Sequence, residues 1–255
     1  MSMSNKKDLR IQLLAKDIIQ HPNQTLNELA QKYNVSVMTV RRDLATIHDN
    51  NLIDNYYSSL TKVSAPDYRF GEEQIRHFET KEKIAQYAVS MLSPNETVIL
   101  DNGTTIELMA ALIPDDLPLT VICYSNSVIS KLCNKKNITL ISAGGVYHPE
   151  SETFESSEGV ELLKRLRAQK MFMSCSGIHQ SLGLTCYYPY EVAMKQAAIS
   201  SSYQKILVTD SSKIDIIKSS FFTRLDNIDM FITDSDISND WKQIMENNKI
   251  KLHIV

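Results

Sequence analysis

The chain has 255 residues, 43% of them hydrophobic, and a formal net charge of −3. This composition is typical of a folded protein, and the length suits one large domain or a medium domain with a small one. No stretch approaches the ~20 apolar residues of a membrane span. The first ten residues also lack the apolar core of a signal peptide, so we expect a cytoplasmic protein with no membrane partner.

The four cysteines are widely spaced and do not suggest a metal site. They are Cys123, Cys133, Cys175 and Cys186. None forms a C-x-x-C pair, and no histidine stands at metal-ligand spacing from another. We therefore expect reduced, partly buried thiols, no metal and no cofactor.

Composition and charge divide the chain into a small basic part and a larger acidic part. Residues 1–62 carry 8 Lys and Arg against 6 Asp and Glu, a net charge of +2, and the remainder carries 19 against 24, a net charge of −5. Pro66 and Gly71 interrupt the pattern between them. We predict an N-terminal domain over residues 1–63, a linker over residues 64–79 and a larger domain over residues 80–255.

The N-terminal part is predicted to contain short helices separated by turns. An apolar helical stripe is followed by "TLNELAQKY", where Thr25 precedes Glu28 by three residues, as in a capping box. Asn34 favours a turn, and Ser36 then caps a further helix over residues 37–50. The segment "LIDNYYSSLTKV" predicts two short strands, a wing.

The helix predicted over residues 37–50 carries two adjacent arginines that point in different directions. Its core face is formed by Val40, Leu44 and Ile47. At about 100° per residue, Met38 and Arg42 point away from that face, whereas Thr39 and Arg41 lie on its flanks. Arg42 is therefore placed to reach a base edge in a major groove, and Arg41 suits a phosphate. Helix, turn and polar-faced helix together indicate a helix-turn-helix that binds double-stranded DNA.

The alternative for the arginine pair is a solvated helix face. In that case Asp43 would partly neutralise Arg41 and Arg42, as at many helix surfaces. An isolated Arg-Arg pair favours this alternative. Here a capped helix, a turn and a candidate wing accompany the pair in order, and this arrangement favours DNA binding.

The larger part predicts a mostly parallel α/β fold. Seven apolar runs alternate with helical or irregular segments: "TVIL", "LTVICY", "ITLISA", "KMFMSC", "KILVT", "DMFIT" and "KIKLHIV". This alternation is typical of a parallel sheet covered by helices. Ligands of such sheets bind beyond the carboxyl ends of the strands.

Small polar residues follow several of these runs and suggest an anion site. The segment Gly103-Thr104-Thr105 offers free N–H groups at a helix N-terminus, and the helix dipole favours negative charge there. Lys213 adds a positive charge, while Asp101 and Asn126 can bond sugar hydroxyls. The pair Gly144-Gly145 follows another run. Taken singly, each loop is equally compatible with an ordinary turn.

The segment "TLNELAQKYNVSVMTVRRDL" resembles the N-terminal signature of DeoR-type bacterial transcriptional regulators. The resemblance implies a winged helix-turn-helix with residues 37–50 as the recognition helix. The implied DNA-binding residues are Ser36, Met38, Thr39, Arg41 and Arg42. The family continues with an arginine and a Gly-Gly pair in the wing, where this chain has "DNYYSSL". Tyr56 and Tyr57 either replace that DNA contact or simply pack.

The larger part resembles the C-terminal sensor domain of the same DeoR-type regulators. The matching segments, in order, are "KEKIAQYA", "DNGTT", "SNS", "AGG", "SGIHQSLGLT", "YEVAMKQAAISSSYQKILVTDSSK" and "FITDSD". That sensor domain is similar to the sugar-phosphate isomerase and CoA-transferase fold. The resemblance implies that a phosphorylated sugar or related metabolite binds as effector. The implied pocket residues are Asp101, Gly103, Thr104, Thr105, Asn126, Gly144, Gly145 and Lys213. Glu191 and Lys195 also match the pattern, or form a surface pair at i,i+4.

Three functions are compatible with these patterns. The first is a transcriptional regulator, expected to be a repressor of sugar-metabolism genes and a homodimer or homotetramer, without catalytic residues. The second is a sugar-phosphate isomerase-like enzyme, with Asp101, Glu191 or His179 as the candidate base. The third is a DNA-bound scaffold without an effector.

Overall fold

The computed structural model describes residues 10, 14, 26–40, 42, 43 and 70–255. The chain divides into two compact units, Met1–Asp67 and Tyr68–Val255. The predicted wing, including Tyr56 and Tyr57, lies outside the described residues, as does Thr25 of the predicted capping box.

The smaller unit contains two helical segments separated by a short turn. The first is Leu26–Lys32, which buries Leu29 and Ala30. Residues 37–40, 42 and 43 are also helical. Asn34 adopts a left-handed conformation with φ of 49°, which asparagine tolerates better than most residues. The predicted helix, turn and helix are confirmed over the described part of this unit.

The larger unit alternates strands and helices along the chain. Its helices are α1 (Phe70–Ile75), α2 (Phe78–Ser90), α3 (Thr104–Leu112), α4 (Asn126–Leu132), α5 (Ser157–Arg165), α6 (Tyr190–Ser200) and α7 (Asn239–Asn247). Its strands are β1 (Glu96–Leu100), β2 (Leu119–Cys123), β3 (Ile138–Ser142), β4 (Val146–His148), β5 (Thr153–Glu155), β6 (Ala168–Met173), β7 (Gly177–His179), β8 (Gly183–Cys186), β9 (Ser202–Val208), β10 (Ser220–Thr223), β11 (Met230–Thr233) and β12 (Lys251–Ile254).

The centre of this unit is a seven-stranded sheet in the order β12-β11-β9-β6-β1-β2-β3. Every pairing within it is parallel. Its seven strands are the seven apolar runs of the sequence, so the predicted mostly parallel α/β fold is confirmed. Two smaller antiparallel sheets, β10-β8-β7 and β4-β5, accompany it.

Two hydrophobic clusters cover the two faces of the central sheet. Alternate residues of β1 belong to different clusters: Ile99 to one, and Val98 and Leu100 to the other. The first cluster includes residues of α5, α6 and α7, and the second includes residues of α2, α3 and α4. This three-layer arrangement explains why the inner strands of the sheet have continuous apolar runs, since both of their faces are buried.

The segment predicted as a linker is partly helical. Residues 64–69 lie outside the described residues, but α1 and the first residues of α2 fall within 64–79 and belong to the larger unit. Phe70 is 4% exposed, and its N–H donates to the Glu150 carbonyl at 3.2 Å. These contacts attach α1 to the larger unit.

Within the described residues, no helix combines the length and apolarity needed to cross a membrane. The same residues contain no cluster of three or more His, Cys, Asp or Glu side chains able to hold a metal ion. All four cysteines are unbonded; Cys133 is exposed and the other three are buried.

Candidate functional site

The start of the arginine-bearing helix presents an exposed polar face. The Ser36 hydroxyl accepts a hydrogen bond from the Thr39 N–H at 3.2 Å, so the predicted cap is formed. Met38 is 60% exposed and Arg42 is also exposed, whereas Val40 is buried at 1%. The predicted division between core and outward faces is therefore confirmed for these residues. Arg41 lies outside the described residues.

Asp43, on the same helix, is part of the interior of the small unit. It is 2% exposed and accepts two hydrogen bonds from the Arg10 guanidinium, at 2.6 and 3.2 Å. The solvated-face alternative assigned Asp43 to the surface beside the arginine pair. Its burial against Arg10 gives it a structural role instead.

A polar cavity of about 480 Å³, counting space open to solvent, lies beyond the carboxyl ends of three adjacent strands. These strands are β9, β6 and β1, at the middle of the central sheet. The loops that follow them contribute residues 102–105, 174–176, 209, 210 and 213, and further lining residues come from α1, α2, the end of β8 and α6. This is the edge at which ligands bind in open parallel sheets.

The N-terminus of α3 forms one wall of the cavity. Gly103 precedes the helix, and Thr104 and Thr105 begin it; both threonines are buried. Gly103 has φ of 131°, and a Cβ at this position would lie 2.9 Å from Cβ of Ser174. Only glycine fits this turn without strain. The first N–H groups of a helix have no partner within it, and here the residues that carry them line the cavity.

Two lysines add positive charge to the cavity lining. The Nζ atoms of Lys213 and Lys81 lie 2.5 and 3.2 Å from the same oxygen, Oε1 of Glu73. Burial alone would raise the pKa of Glu73, but hydrogen bonds and charges from Lys213 and Lys81 outweigh it, so this pKa is lowered. Burial lowers the pKa of Lys81, although Glu73 opposes this effect. Glu73 is therefore held as a carboxylate.

The floor of the cavity is a buried ion pair. Lys195 Nζ lies 2.6 Å from Oδ2 of Asp101, which also accepts from the Ser174 N–H at 3.1 Å. The Tyr124 hydroxyl donates to the other Asp101 oxygen. Asp101 is fully buried, so it supports the lining residues from beneath. Burial would lower the pKa of Lys195, but Asp101 and Glu191 outweigh burial and raise it.

Glu191 and Lys195 are buried and do not form the surface pair considered from the sequence. They are 4% and 2% exposed, and their charged atoms are 3.9 Å apart. Glu191 also accepts a hydrogen bond from Nδ2 of Asn102 at 2.8 Å. Burial raises the pKa of Glu191, and the opposing effects of Lys195 and Asn102 do not cancel it.

Two buried oxygens of the lining lack a hydrogen-bond partner within the described part of the chain. They are Oδ1 of Asn102 and Oδ2 of Asp210. The other Asp210 oxygen accepts from the N–H and the hydroxyl of Ser212. An unpaired buried acceptor is unfavourable by about 1–3 kcal/mol. Both atoms would gain from a ligand that brings O–H or N–H donors.

The structure separates three of the predicted pocket residues from this cavity. Asn126 begins α4 and donates to Glu152 at 3.3 Å. Gly144 and Gly145 line a separate depression next to α5. The strand order explains this separation, because β2 and β3 lie one and two strands beyond β1, and each step is about 4.8 Å. Of the predicted set, Gly103, Thr104, Thr105 and Lys213 line the cavity together and Asp101 underlies it.

Several lining residues were missed by the sequence analysis. Lys81 carried a usable signal, because it stands three, four and seven residues before the buried Ile84, Ala85 and Ala88. That spacing places the lysine on the buried helix face. Asp210 directly follows the run "KILVT", and Asn102 stands one residue beyond the run "TVIL". Glu73 carried no such signal, since it lies in the predicted linker.

The cavity lining includes two cysteines, whereas the candidate base His179 is not part of it. Burial raises the pKa of the Cys175 and Cys186 thiols to about 12, so both are inert as nucleophiles. His179 lies in β7, outside the cavity lining, and its Nδ1 accepts from the N–H groups of Ser181 and Leu182.

A helix-turn-helix unit and a separate parallel α/β unit with a polar cavity define a DNA-binding regulator with a sensor domain. Two family models match the chain in that order: the DeoR-like helix-turn-helix domain over residues 10–63 and the DeoR C-terminal sensor domain over residues 76–235. The chain belongs to the DeoR family of transcriptional regulators.

Curated relatives agree with this assignment over nearly the whole chain. The lactose phosphotransferase system repressor of Staphylococcus epidermidis is 31% identical, covering 91% of this chain and 93% of its own. The deoxyribose operon repressor of Escherichia coli is 26% identical over 98% and 99%. Among solved structures, ribose 5-phosphate isomerase A of Methanocaldococcus jannaschii matches 54% of each chain at 14% identity, with a TM-score of 0.41.

Proposed function

We propose that this regulator represses genes of sugar metabolism and is controlled by a phosphorylated sugar bound in the cavity of the larger unit. The names of its relatives support the repressor assignment, since they include repressors of the deoxyribose operon and of a lactose phosphotransferase system. Such a protein acts in the cytoplasm, where operator DNA and phosphorylated metabolites are both present.

The observation that carries this proposal is the combination of charges and unpaired acceptors around one cavity. Lys81, Lys213 and the N-terminus of α3 suit a phosphate, since lysines and free N–H groups bind anions. The unpaired oxygens of Asn102 and Asp210 suit sugar hydroxyls, which donate hydrogen bonds. A phosphorylated polyol satisfies both sets of groups, whereas inorganic anions or neutral sugars satisfy only one.

For the small unit we propose that the exposed face of the arginine-bearing helix binds the major groove of operator DNA. The contacts are assigned to Ser36, Met38, Thr39, Arg41 and Arg42. Arg42 would read a base edge, and Arg41 and the helix start would hold phosphates. A homodimer or homotetramer would present matched heads to matched half-sites.

An isomerase-like activity is the second candidate. One observation favours it: the Glu191 carboxyl lines the cavity, has a raised pKa and lies 3.9 Å from Lys195 Nζ. A carboxyl of this kind can serve as a general acid or base. We propose binding without turnover, because regulation accounts for the presence of a DNA-binding unit in the same chain and catalysis does not. Product analysis after incubation with phosphorylated sugars tests this point, and clear turnover would reverse it.

A thermal-shift screen of phosphorylated sugars on the full chain tests the sensor proposal. A ligand at 100 times its dissociation constant stabilises the folded protein by about 2.7 kcal/mol. We expect one or a few phosphorylated sugars to stabilise the larger unit and the Lys213→Ala variant to lose that response. The corresponding unphosphorylated sugars should have no effect. Stabilisation by none of the phosphorylated compounds would reject the proposal.

A further inference from the structure

The carboxylate of Glu73 lies between the two lysines of the cavity. Its Oε1 atom is 2.5 Å from Lys213 Nζ and 3.2 Å from Lys81 Nζ. Because both distances end on one oxygen, the two ammonium groups are no further apart than the sum of these distances. A single anionic group can therefore contact both lysines, and in this structure the group that does so belongs to the protein.

The charges around Glu73 suit a more negative group than a carboxylate. Lys81 is almost fully buried at 2% exposure of its side chain, and Lys213 is 18% exposed. Glu73 supplies one negative charge to these two positive charges, with Asp210 also lining the cavity. A phosphate monoester carries a charge of about −1.5 to −2 at pH 7 and offers three acceptor oxygens. It would bring more negative charge and more acceptor oxygens to the two lysines than the Glu73 carboxylate does.

We propose that Glu73 occupies the phosphate position of the cavity, and that an effector phosphate binds Lys81 and Lys213 by displacing Glu73 and loosening helix α1. This inference rests on the proposed function, since it assumes that an anionic effector enters this cavity. It makes Glu73 a residue that determines specificity: a neutral sugar cannot replace the carboxylate, and a phosphorylated sugar can.

Helix α1 depends on the contacts that such a phosphate would remove. It has six residues, and helices of this length are marginal without tertiary contacts. Lys81 Nζ donates to the Glu73 carbonyl at 2.6 Å as well as to its carboxylate. Its other contacts among the described residues include the burial of Phe70, the 3.2 Å hydrogen bond from the Phe70 N–H to the Glu150 carbonyl, and a 2.5 Å hydrogen bond from Gln74 to Glu107. Since the larger unit begins at Tyr68, α1 is the first element after the DNA-binding unit.

The test uses the full chain, inorganic phosphate as the probe, and the Glu73→Gln variant. Glu79→Gln is the matched control, because it removes the same charge at an exposed position of α2 outside the cavity lining. If the cavity of the wild type is open in about a tenth of molecules, removing the competing carboxylate tightens binding about tenfold. We expect this gain, measured by calorimetry, for Glu73→Gln and unchanged affinity for Glu79→Gln.

Hydrogen exchange of the wild type provides a readout that does not depend on any variant. Saturating phosphate should speed exchange of the amides of residues 70–76 and leave those of α7 unchanged. Three results would each overturn the inference. They are phosphate binding by Glu73→Gln that is equal to or weaker than that of the wild type, no phosphate binding by any variant, and unchanged hydrogen exchange at α1. If phosphorylated sugars bind the wild type in the Lys213-dependent manner and one of these results is found, only this inference fails. If no phosphorylated sugar binds, the proposed function fails.

Discussion

Lys195 and Asp101 form an ion pair 2.6 Å long in which the two side chains are 2% and 0% exposed. The pair joins α6 to the end of β1 directly beneath the cavity. Its position explains how the lining loops are held at fixed positions, because Asp101 also accepts from the Ser174 N–H and the Tyr124 hydroxyl. Burying charges is unfavourable unless each has a partner.

Removing one member of this pair should strongly destabilise the larger unit. We expect Lys195→Met to lower the free energy of unfolding by about 3–5 kcal/mol, because it leaves the Asp101 carboxylate buried without its positively charged partner. The double variant with Asp101→Asn should lose less than the two single losses together. Urea denaturation measures these values. Lys164→Met is the control, since its partner Glu161 is 59% exposed, and stability should not change.

Arg42→Ala should weaken DNA binding. Arg42 is exposed on the arginine-bearing helix, and a guanidinium that pairs with a base is worth about 1–3 kcal/mol of discrimination. Fluorescence anisotropy with a DNA fragment bound specifically by the wild type measures the loss. Arg224→Ala removes the same charge from an exposed site on the larger unit and should bind as the wild type does. Equal affinity of both variants for the fragment would exclude Arg42 from the interface.

Gly103→Ala should disturb the cavity, whereas Gly144→Ala should not. Alanine at position 103 requires φ of 131° and places Cβ 2.9 Å from Cβ of Ser174, a combination that is unfavourable by about 1–3 kcal/mol. At position 144 an added Cβ meets nothing within 4 Å. We expect reduced stability and weaker phosphosugar binding for the first variant alone. If Gly144→Ala loses phosphosugar binding, the Gly144-Gly145 segment belongs to the effector site after all.

The Asp234 carboxylate should make stability depend on acid pH. Burial would raise its pKa, but hydrogen bonds from the Ser211 hydroxyl and from the N–H groups of Ser211 and Asp236 lower it below 3.8. Because the folded-state pKa is lowered, its stabilisation is complete above the ordinary pKa and is lost as pH falls through the lowered value.

The Asp234→Asn variant tests this dependence, because it places an amide N–H₂ against one of these donors. We expect the variant to have a free energy of unfolding about 1–3 kcal/mol below that of the wild type at pH 7. This difference should become smaller as the pH falls below 3.8. Asp226→Asn, at an exposed pair with Arg224, should show no such trend. A loss for Asp234→Asn that is independent of pH would contradict the assignment.

The central sheet was predictable because its inner strands are buried on both faces and therefore have continuous apolar runs, and the edge strands β3 and β12 also contain apolar residues. The order of those strands was not predictable, since neighbouring positions in the sheet are set by packing between distant segments. For this reason Asn126 and the Gly144-Gly145 pair were grouped by the sequence analysis with the loops after β1 and β9. The latter two loops lie at one cavity, whereas β2 and β3 lie further out. The role of Glu73 could not be predicted from the sequence, because its carboxylate contacts lysines that are 8 and 140 positions away along the chain.

The most direct test of the account measures the affinity of the full chain for its operator with and without a phosphorylated sugar that binds the cavity. Coupled sites typically change each other's affinity by about 5- to 150-fold, and the change is reciprocal. We predict a shift of this size for the wild type, the same factor in the effect of DNA on sugar affinity, and no shift for Lys213→Ala. Operator affinity that stays constant at saturating sugar phosphate would contradict the claim that the cavity controls DNA binding.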